Sequence, residues 1–208
     1  MINLRTHAYT IEQIRAIEQA AIQSGISESQ LMDTAGQAAF DCMLTHFNDL
    51  KSIVVICGQG NNGGDAFVLA RLAHQQNIKT HCYTLCENNQ LPPAAKQAAI
   101  SAERHGVSIC QYHPTIDFNS YDLIIDGLLG IGIQGEVHSD IAAIIEHLNH
   151  SSAPKFALDC PSGINANTGT TKLAVNANAT ITFIADKIGL LTGDSLAYLG
   201  KLYTHHIG

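Results

Sequence analysis

Ile53-Val-Val-Ile-Cys57 is followed directly by Gly58-Gln-Gly-Asn-Asn-Gly-Gly-Asp65. The apolar run predicts a buried strand, and the glycines after it allow the backbone to approach a ligand closely. Gly58, Gly60 and Gly63 match the Gly-x-Gly-x-x-Gly spacing of dinucleotide-binding loops. This stretch therefore predicts an α/β protein with a ligand site at the end of a strand.

Strands and helices alternate along the rest of the chain. Strands are predicted at residues 52–57, 79–85, 107–112, 122–126, 155–159, 179–185 and 201–207. Helices fit between them at residues 64–76, 93–105 and 139–150. Apolar strands that alternate with helices are typical of a mostly parallel sheet covered on both faces.

Two further helices are predicted before the first strand. The first opens with a capping box at Thr10 and Gln13 and ends at Gly25, and its predicted inward stripe is Ile11, Ile14, Ile17 and Ala21. The second is predicted over residues 28–47. Its small residues allow close helix contact, either inside the chain or in a homodimer, and they are Ala35, Gly36, Ala38 and Ala39.

Composition restricts the classes of function. The 208 residues, 46% of them hydrophobic, predict a single domain with its own core. A net charge of −7 with scattered Lys and Arg argues against nucleic-acid binding. No apolar stretch approaches the length of a membrane span, and the N-terminus lacks the apolar core of a signal peptide. A cytoplasmic location is therefore expected.

The cysteines and histidines do not predict a zinc site. The six cysteines have mostly apolar neighbours, which predicts buried free thiols in a reducing compartment. Cys82 and Cys86 would lie about 13 Å apart along a strand, too far to share one zinc ion. His205 and His206 are neighbours on a predicted strand and point to opposite faces.

Two more strand ends carry unusual residues. Asp126 closes one strand and precedes Gly130-Ile-Gly-Ile-Gln-Gly135, a second Gly-x-Gly-x-x-Gly, and Asp159 closes the next strand before Cys160-Pro-Ser-Gly163. Either acid alone is also explained by an Asx-type turn that caps a loop. Because parallel strands end at the same edge, we expect both loops and the Gly58 loop to share one rim of the sheet.

The first loop departs from an ordinary dinucleotide fingerprint. Asp65 places a carboxylate in the predicted first helical turn, where it suits the helix dipole but repels phosphate. Hydroxyl, amide or cationic groups are better partners for Asn61, Asn62 and Asp65. The acid that usually binds ribose has only a loose candidate in Glu87. A nicotinamide-dependent oxidoreductase is therefore the less favoured alternative.

Oxygen-bearing side chains at the rim suit a hard cation. Asn62, Asp126 and Ser162 offer amide, carboxylate and hydroxyl oxygens, and so few carboxylates favour a monovalent ion or loosely held magnesium over calcium. Lys187 follows a fourth strand. It is interpreted either as a contact for substrate phosphate or as a solvated surface lysine.

Four ordered motifs resemble the NAD(P)HX epimerases, the YjeF N-terminal domain family, whose substrates are hydrated NADH and NADPH. They are the Gly58–Asp65 loop, Asp126-Gly-Leu-Leu-Gly-Ile-Gly132, Leu158-Asp-Cys-Pro-Ser-Gly-Ile-Asn165 and Ala179-Thr-Ile-Thr-Phe-Ile-Ala-Asp-Lys-Ile-Gly-Leu-Leu-Thr-Gly193. The opening helices, with Leu31-Met-Asp-Thr-Ala-Gly36, are also similar to the family's start.

The resemblance implies a three-layer, Rossmann-like α/β/α sandwich, often dimeric. It implies an isomerase that interconverts the R and S forms of NADHX or NADPHX, so that a partner NAD(P)HX dehydratase repairs both, with one bound potassium ion. Residues 1–208 are expected to form one epimerase domain. Since many relatives continue into a dehydratase domain, the chain is either a stand-alone epimerase or half of a bifunctional protein.

The resemblance also implies roles for particular residues. Potassium ligands come from Asn62, Asp126 and Ser162. Asp159 contacts the damaged nicotinamide end. The second loop is implied to bind the substrate phosphates through its backbone amides. The residues implied to contact the substrate in the two loops are Asn61, Asn62, Gly63, Gly64, Asp65, Gly130, Ile131, Gly132, Ile133, Gln134, Gly135 and Glu136. Ala66 and Ile131 stand where the family often has Gly and Thr, and Ile131 removes a possible hydroxyl contact to phosphate.

Our mechanistic hypothesis makes Asp159 the general acid/base, with Asp65 as the reserve candidate. The substrate carries a hydroxyl on the ring carbon next to nitrogen. It epimerises by loss and return of hydroxide or by opening and closing of the carbon–nitrogen bond. The sequence leaves open the choice between these routes and between NADHX and NADPHX. A non-catalytic or moonlighting nucleotide- or protein-binding module is the alternative function.

Overall fold

Seven parallel strands form one sheet in this computed structural model, which describes residues 7–132, 135 and 137–207. The strand order is β3-β2-β1-β4-β5-β6-β7. The strands are β1 (Ser52–Cys57), β2 (Lys79–Thr84), β3 (Ser108–Gln111), β4 (Leu123–Gly127), β5 (Lys155–Leu158), β6 (Ala179–Phe183) and β7 (Lys201–His205). The order reverses at β1, so the crevice between the ends of β1 and β4 is a topological switch point, where ligands bind in such sheets.

Helices cover both faces of the sheet and give three layers. The helices are α1 (Ile11–Gln23), α2 (Glu28–His46), α3 (Asn61–Gln75), α4 (Pro93–Arg104) and α5 (Ser139–His150). Alternate residues of β1 face opposite layers. Val55 packs in the core that includes α2, α3 and α4, whereas Val54 and Ile56 pack against Ile145 of α5. The predicted α/β/α sandwich with a parallel sheet is confirmed.

Helix α1 lies over the loops that follow β5 and β6. Ile11 packs with Cys160, Ile164 and Leu190 in a separate small core. The first backbone N–H of the helix, at Ile11, donates to Asn167 Oδ1 at 2.7 Å. Just before the helix, Tyr9 forms an isolated parallel bridge with Lys187. These contacts hold α1 at the rim where β5 and β6 end.

Several sequence predictions need correction. The third helix begins at Asn61 rather than at residue 64, because the two asparagines and two glycines form its first turn. Ile17 is 38% exposed instead of inward, and Cys110 is exposed on edge strand β3, whereas Ile11 and Ile14 are buried. All six cysteines are free.

The small residues of α2 are buried within the chain. Ala35 and Ala39 belong to the core shared with α3, and a Cβ added at Gly36 would stand 2.4 Å from the Val68 side chain. Their intramolecular role is confirmed, and the homodimer stays a prediction. No helix among the described residues is long and apolar enough to cross a membrane.

Candidate active site

One cavity of about 690 Å³ opens at the carboxyl ends of the strands. Its volume is in the range of small-molecule binding sites. The loops after β1, β4, β5 and β6 line it, and α1 and α2 close one side. The polar residues on its wall are Arg15, Glu18, Glu28, Gln59, Asn61, Asn62, Asp65, His138, Asp140, Asp159 and Lys187. The three predicted loops therefore do meet at one rim.

Close packing explains two glycines of the first loop. A Cβ on Gly58 would stand 1.8 Å from the Leu128 carbonyl oxygen, and one on Gly63 would stand 2.1 Å from the Gly58 carbonyl oxygen. The β1–α3 turn is thus pressed against the turn after β4. Gly60 is the N-cap of α3 and offers no side-chain cap, so the first N–H groups of the helix lie beside the cavity without a capping side chain.

Two of the three predicted potassium ligands, Asn62 and Ser162, bond the Leu129 backbone, and the third, Asp126, bonds Ser162. Asn62 Nδ2 donates to the Leu129 carbonyl at 2.9 Å, and the Leu129 N–H donates to Ser162 Oγ at 2.8 Å. Ser162 donates in turn to Asp126, from Oγ to Oδ1 at 2.5 Å and from its backbone N–H to Oδ2 at 2.9 Å. The sequence-distant residues thus form one connected network.

This network contains features that suit a cation. Asn62 Oδ1 is the buried side-chain polar atom that has no hydrogen-bond partner among the described residues. Asp126 is fully buried, and burial raises its pKa to about 6 in spite of the opposing hydrogen bonds from Ser162 and Leu128. The oxygens of Asn62, Leu129, Asp126 and Ser162 fit a hard monovalent cation.

Asp159 forms a buried ion pair with Lys187. Lys187 Nζ donates to Asp159 Oδ1 at 2.5 Å, to Thr182 Oγ1 at 2.6 Å and to the Phe183 carbonyl at 2.8 Å. The lysine side chain is 1% exposed and the aspartate side chain 14%. The interpretation of Lys187 as a solvated surface lysine is therefore wrong, since its ammonium group lies inside the protein on a carboxylate.

The backbone fixes how Asp159 enters the cavity. Its φ of 63° lies in the left-handed region, which aspartate tolerates better than most residues. The Phe183 N–H reaches Oδ1 at 3.4 Å. A Cβ added at Gly130 would stand 3.6 Å from Oδ2 and 3.2 Å from Asn62 Cβ. Gly130 thus leaves room where the acid, the amide and the second loop come together.

Asp65 and Glu18 are two further acids on the wall. Asp65 is 9% exposed, and no described residue forms a hydrogen bond or ion pair with its carboxyl group. Burial raises the pKa of Asp65 well above its usual value, with smaller contributions from Asp159 and Glu18 that Lys187 opposes. Burial also raises the pKa of Glu18, with the charges of Asp159 and Glu28 adding to the effect.

The second glycine loop lies only partly within the described residues. Gly130, Ile131 and Gly132 line the cavity. Gly135 is exposed with a φ of 82°. Ile133, Gln134 and Glu136 lie outside the described residues. Asn61, Asn62 and Asp65 line the cavity, whereas Gly63 and Gly64 pack beneath it against the Gly58 carbonyl and Met32.

Sequence reasoning missed the contribution of the leading helices. Ile14, Arg15 and Glu18 of α1 and Glu28 of α2 line the cavity. The sequence does contain a signal for the role of Glu18. Glu18 follows Ile14 by four positions and therefore lies on the buried face of α1. A half-buried acid on an apolar helix face is unusual enough to mark a site.

A parallel α/β sheet with acids and glycine loops around a cavity at its switch point defines a Rossmann-like α/β protein. Residues 28–189 match the family described as YjeF-related protein N-terminus. Relatives over nearly the whole chain agree with that match, so this chain belongs to the YjeF N-terminal family.

Two curated relatives illustrate the similarity. The chain is 42% identical over 204 residues to the bifunctional NAD(P)H-hydrate repair enzyme Nnr of Coxiella burnetii, covering 98% of this chain and 42% of that protein. It is 32% identical over 210 residues to the NAD(P)H-hydrate epimerase of Legionella pneumophila strain Philadelphia 1, covering 97% of this chain and 78% of that protein. The chain thus spans about two fifths of the bifunctional relative.

The fold is similar to a crystal structure of the yeast protein ynu0 (YNL200c). The TM-score is 0.79 at 18% sequence identity, and the alignment covers 95% of this chain and 87% of the yeast chain. At this identity the likeness concerns the fold alone.

Proposed function

We propose that this chain is an NAD(P)H-hydrate epimerase, an isomerase that interconverts the R and S forms of NADHX and NADPHX. The observation that carries the proposal is the convergence of Asp159, Asp65 and both glycine loops on one cavity. The family membership and the names of the relatives support it. Relatives described as bifunctional repair enzymes support an NAD(P)HX dehydratase as the functional partner.

The substrate is proposed to lie across both glycine loops. Asn61, Asn62 and Asp65 face it from the start of α3, and the backbone of residues 130–136 takes its phosphates. The nicotinamide end would face Asp159, whose Oδ2 stands beside Gly130. Lys187 is no longer proposed as a phosphate contact, because all three of its N–H donors already have acceptors within the protein.

Asn62, Asp126, Ser162 and the Leu129 carbonyl are proposed to hold one potassium ion. The unpartnered Asn62 Oδ1 and the buried Asp126 support this assignment. When bound, the ion supplies positive charge that compensates Asp126 and orients neighbouring oxygens. Potassium chloride is expected to raise the thermal stability of the protein more than lithium chloride at equal ionic strength. Asp126→Asn should abolish that difference, and an equal response of the wild type to both salts contradicts the site.

Asp159 is proposed to move the proton of the substrate hydroxyl. Its carboxyl group has one oxygen bound to Lys187 and the other at the cavity. Asp159→Asn keeps the shape but removes proton transfer, so epimerisation should slow by about 10² to 10⁴ fold. A variant that equilibrates the epimers at the wild-type rate contradicts the assignment.

The proposed function is tested with a coupled assay. Purified S-selective dehydratase is added to mixed NADHX epimers with and without this protein, and the loss of the R form is followed by chromatography. We expect the R form to be consumed in step with the S form only when this protein is present. An unchanged rate of R consumption would overturn the proposal. A cytoplasmic location and a homodimer through the N-terminal helices stay predictions.

A further inference from the structure

We propose that Asp65 is a second catalytic residue, the proton donor that works with Asp159, and that Lys187 is a positioning residue that keeps Asp159 as the proton acceptor. This inference rests on the proposed epimerase function and deepens it. It divides acid and base roles between two carboxyl groups that line the same cavity.

The environment of Lys187 supports the positioning role. Its three N–H donors are used by Asp159, Thr182 and the Phe183 carbonyl, all within 2.8 Å. A buried ammonium group with no free donor contributes its charge to Asp159 and has none left for a ligand. The isolated parallel bridge to Tyr9 also holds the Lys187 backbone in place. Lys187 therefore acts on the reaction through Asp159.

The environment of Asp159 supports the acceptor role. Its Oδ1 accepts hydrogen bonds from the Lys187 ammonium group and from the Phe183 N–H, so a positively charged group lies directly against this carboxyl group. Its left-handed backbone and these bonds hold the carboxylate in one orientation. Oδ2 remains on the Gly130 side of the cavity, where a substrate hydroxyl has access.

Asp65, unlike Asp159, lies in surroundings that support a role as proton donor. It lines the cavity with nine tenths of its surface buried, and no described residue donates a hydrogen bond to its carboxyl group or pairs with it. Burial raises the pKa of Asp65, the negative charges of Asp159 and Glu18 raise it further, and the positive charge of Lys187 opposes them. A carboxyl group in such surroundings keeps its proton and is suited to donate it.

The hydroxide-loss route balances with these two groups. Asp65 gives its proton to the ring hydroxyl, the carbon–oxygen bond breaks and water leaves, while the nitrogen electron pair forms a carbon–nitrogen double bond. A water molecule then adds to the opposite face of that carbon, the double-bond electrons return to nitrogen, and Asp159 takes a proton from the added water. One proton has moved from Asp65 to Asp159, and exchange with solvent restores both.

The ring-opening route uses the same pair. Asp159 takes the hydroxyl proton, an aldehyde forms as the carbon–nitrogen bond breaks, and the nitrogen takes the bond electrons and a proton from Asp65. Rotation of the aldehyde and the reverse steps close the ring with the other configuration. The division of roles therefore holds for either route.

The first test measures kcat and KM for epimerisation of R-NADHX by Asp65→Asn. We expect kcat to fall by about 10² fold or more, the range for loss of a general acid, with KM little changed. Asp41→Asn is the matched control, because Asp41 is exposed on α2 and its carboxyl group accepts a hydrogen bond only from Gln37 among the described residues. A wild-type kcat in Asp65→Asn overturns the inference.

The second test measures the pH profile of kcat/KM for Lys187→Met. The charged or titratable groups around the two carboxyls are Arg15 and Glu18 of α1, Glu28 of α2, Asp126, His138, Asp140, Cys160 and Lys187. This variant removes the ammonium group that lies 2.5 Å from Asp159 Oδ1, so the acid limb of the profile should move to higher pH. If kcat/KM falls while the acid limb stays at the same pH, Lys187 has only a structural role, and its assignment as a positioning residue is overturned.

The third test observes the wild-type protein itself and uses variants only to assign signals. Carboxyl ¹³C NMR of the wild-type protein at neutral pH, assigned with Asp65→Asn and Asp159→Asn, reads the protonation states directly. We expect a protonated Asp65 and an ionised Asp159, and an ionised Asp65 overturns the inference. If the wild type has no epimerase activity, the proposed function fails as well. If the wild type is active and any of the contrary results above is found, the further inference alone is overturned.

Discussion

At the scale of single residues, the cavity is bordered by strained backbone. Asp159 and Ile184 follow neighbouring strands, with φ values of 63° and 69°. The left-handed region is unfavourable for a β-branched residue such as isoleucine. The Ile184 N–H donates to the His205 carbonyl at 2.9 Å, which holds the residue in place. The surrounding sheet maintains this strain, and both residues line the cavity at the proposed nicotinamide end.

The first prediction concerns Gly58. Gly58→Ala should lower the free energy of unfolding by about 1 to 3 kcal/mol, because its Cβ would collide with the Leu128 backbone at 1.8 Å. Gly132→Ala is the control, since nothing lies within 4 Å of its added Cβ. Urea denaturation measures both. Equal stability of the two variants would show that the turns are not pressed together.

The second prediction concerns the stability cost of Asp65. Its folded-state pKa is raised, so its contribution to stability is fully present below the unfolded pKa near 4 and is lost as pH rises through the folded pKa. Asp65→Asn should therefore be more stable than wild type at neutral pH. The difference should shrink as pH falls toward about 4.

Urea denaturation at several pH values tests this expectation. Asp41→Asn, on the exposed face of α2, should change stability little across the same range. A wild-type protein that is as stable as Asp65→Asn at neutral pH would contradict the burial of an unpaired carboxyl group.

At the scale of elements, α1 serves as one wall of the cavity. It contributes Ile14, Arg15 and Glu18 to the lining. Its attachment depends on a few contacts near its start, chiefly Ile11 in a small core and Asn167 at the first N–H. A helix held in this way opens more easily than the helices packed on the sheet.

The third prediction follows from that attachment. Asn167→Ala removes the acceptor for the Ile11 N–H at 2.7 Å and a 3.3 Å contact with Glu12. Hydrogen exchange should become faster across residues 11–18, with a loss of about 1 kcal/mol typical of a helix-capping contact. Asn88→Ala is the control, because the Asn88 amide contacts only exposed Glu103 among the described residues. Unchanged exchange in α1 would show that the small core alone holds the helix.

At the scale of the whole molecule, the parallel sheet joins distant segments at one edge. Asn62 and Ser162 are 100 positions apart in sequence, yet both bond the Leu129 backbone. A ligand in the cavity would contact loops after four strands and the two leading helices. Binding should therefore stabilise the whole fold.

The fourth prediction is a ligand-dependent gain in stability. NADHX at 100 times its dissociation constant should raise the free energy of unfolding by about 2.7 kcal/mol. Thermal or urea unfolding with increasing ligand measures the gain. The same protein with adenosine alone is the control, because adenosine lacks the pyrophosphate and the hydrated ring. No stabilisation by NADHX, or an equal response to adenosine, would contradict the proposed cavity.

The strands of the sheet and the rim of the site can be predicted from the amino-acid sequence alone. Apolar runs and glycine turns predict the strands, because burial on both faces requires apolar residues throughout and tight turns require glycine. Since parallel strands end at one edge, the positions of Asp126 and Asp159 at strand ends place them at the same rim. Local patterns carry this information, so no tertiary contact is needed to read it.

The surroundings of the charged groups and the wall formed by α1 depend instead on tertiary contacts. Lys187 looks like a surface or phosphate-binding residue in sequence, and its burial on Asp159 depends on how the segment after β6 folds back. Asp65 lies unpaired in the cavity because α3 begins at Asn61 and turns that side chain inward. Glu18 reaches the site because α1 docks through Asn167. These outcomes depend on distances between segments far apart in the chain, which local sequence patterns do not encode.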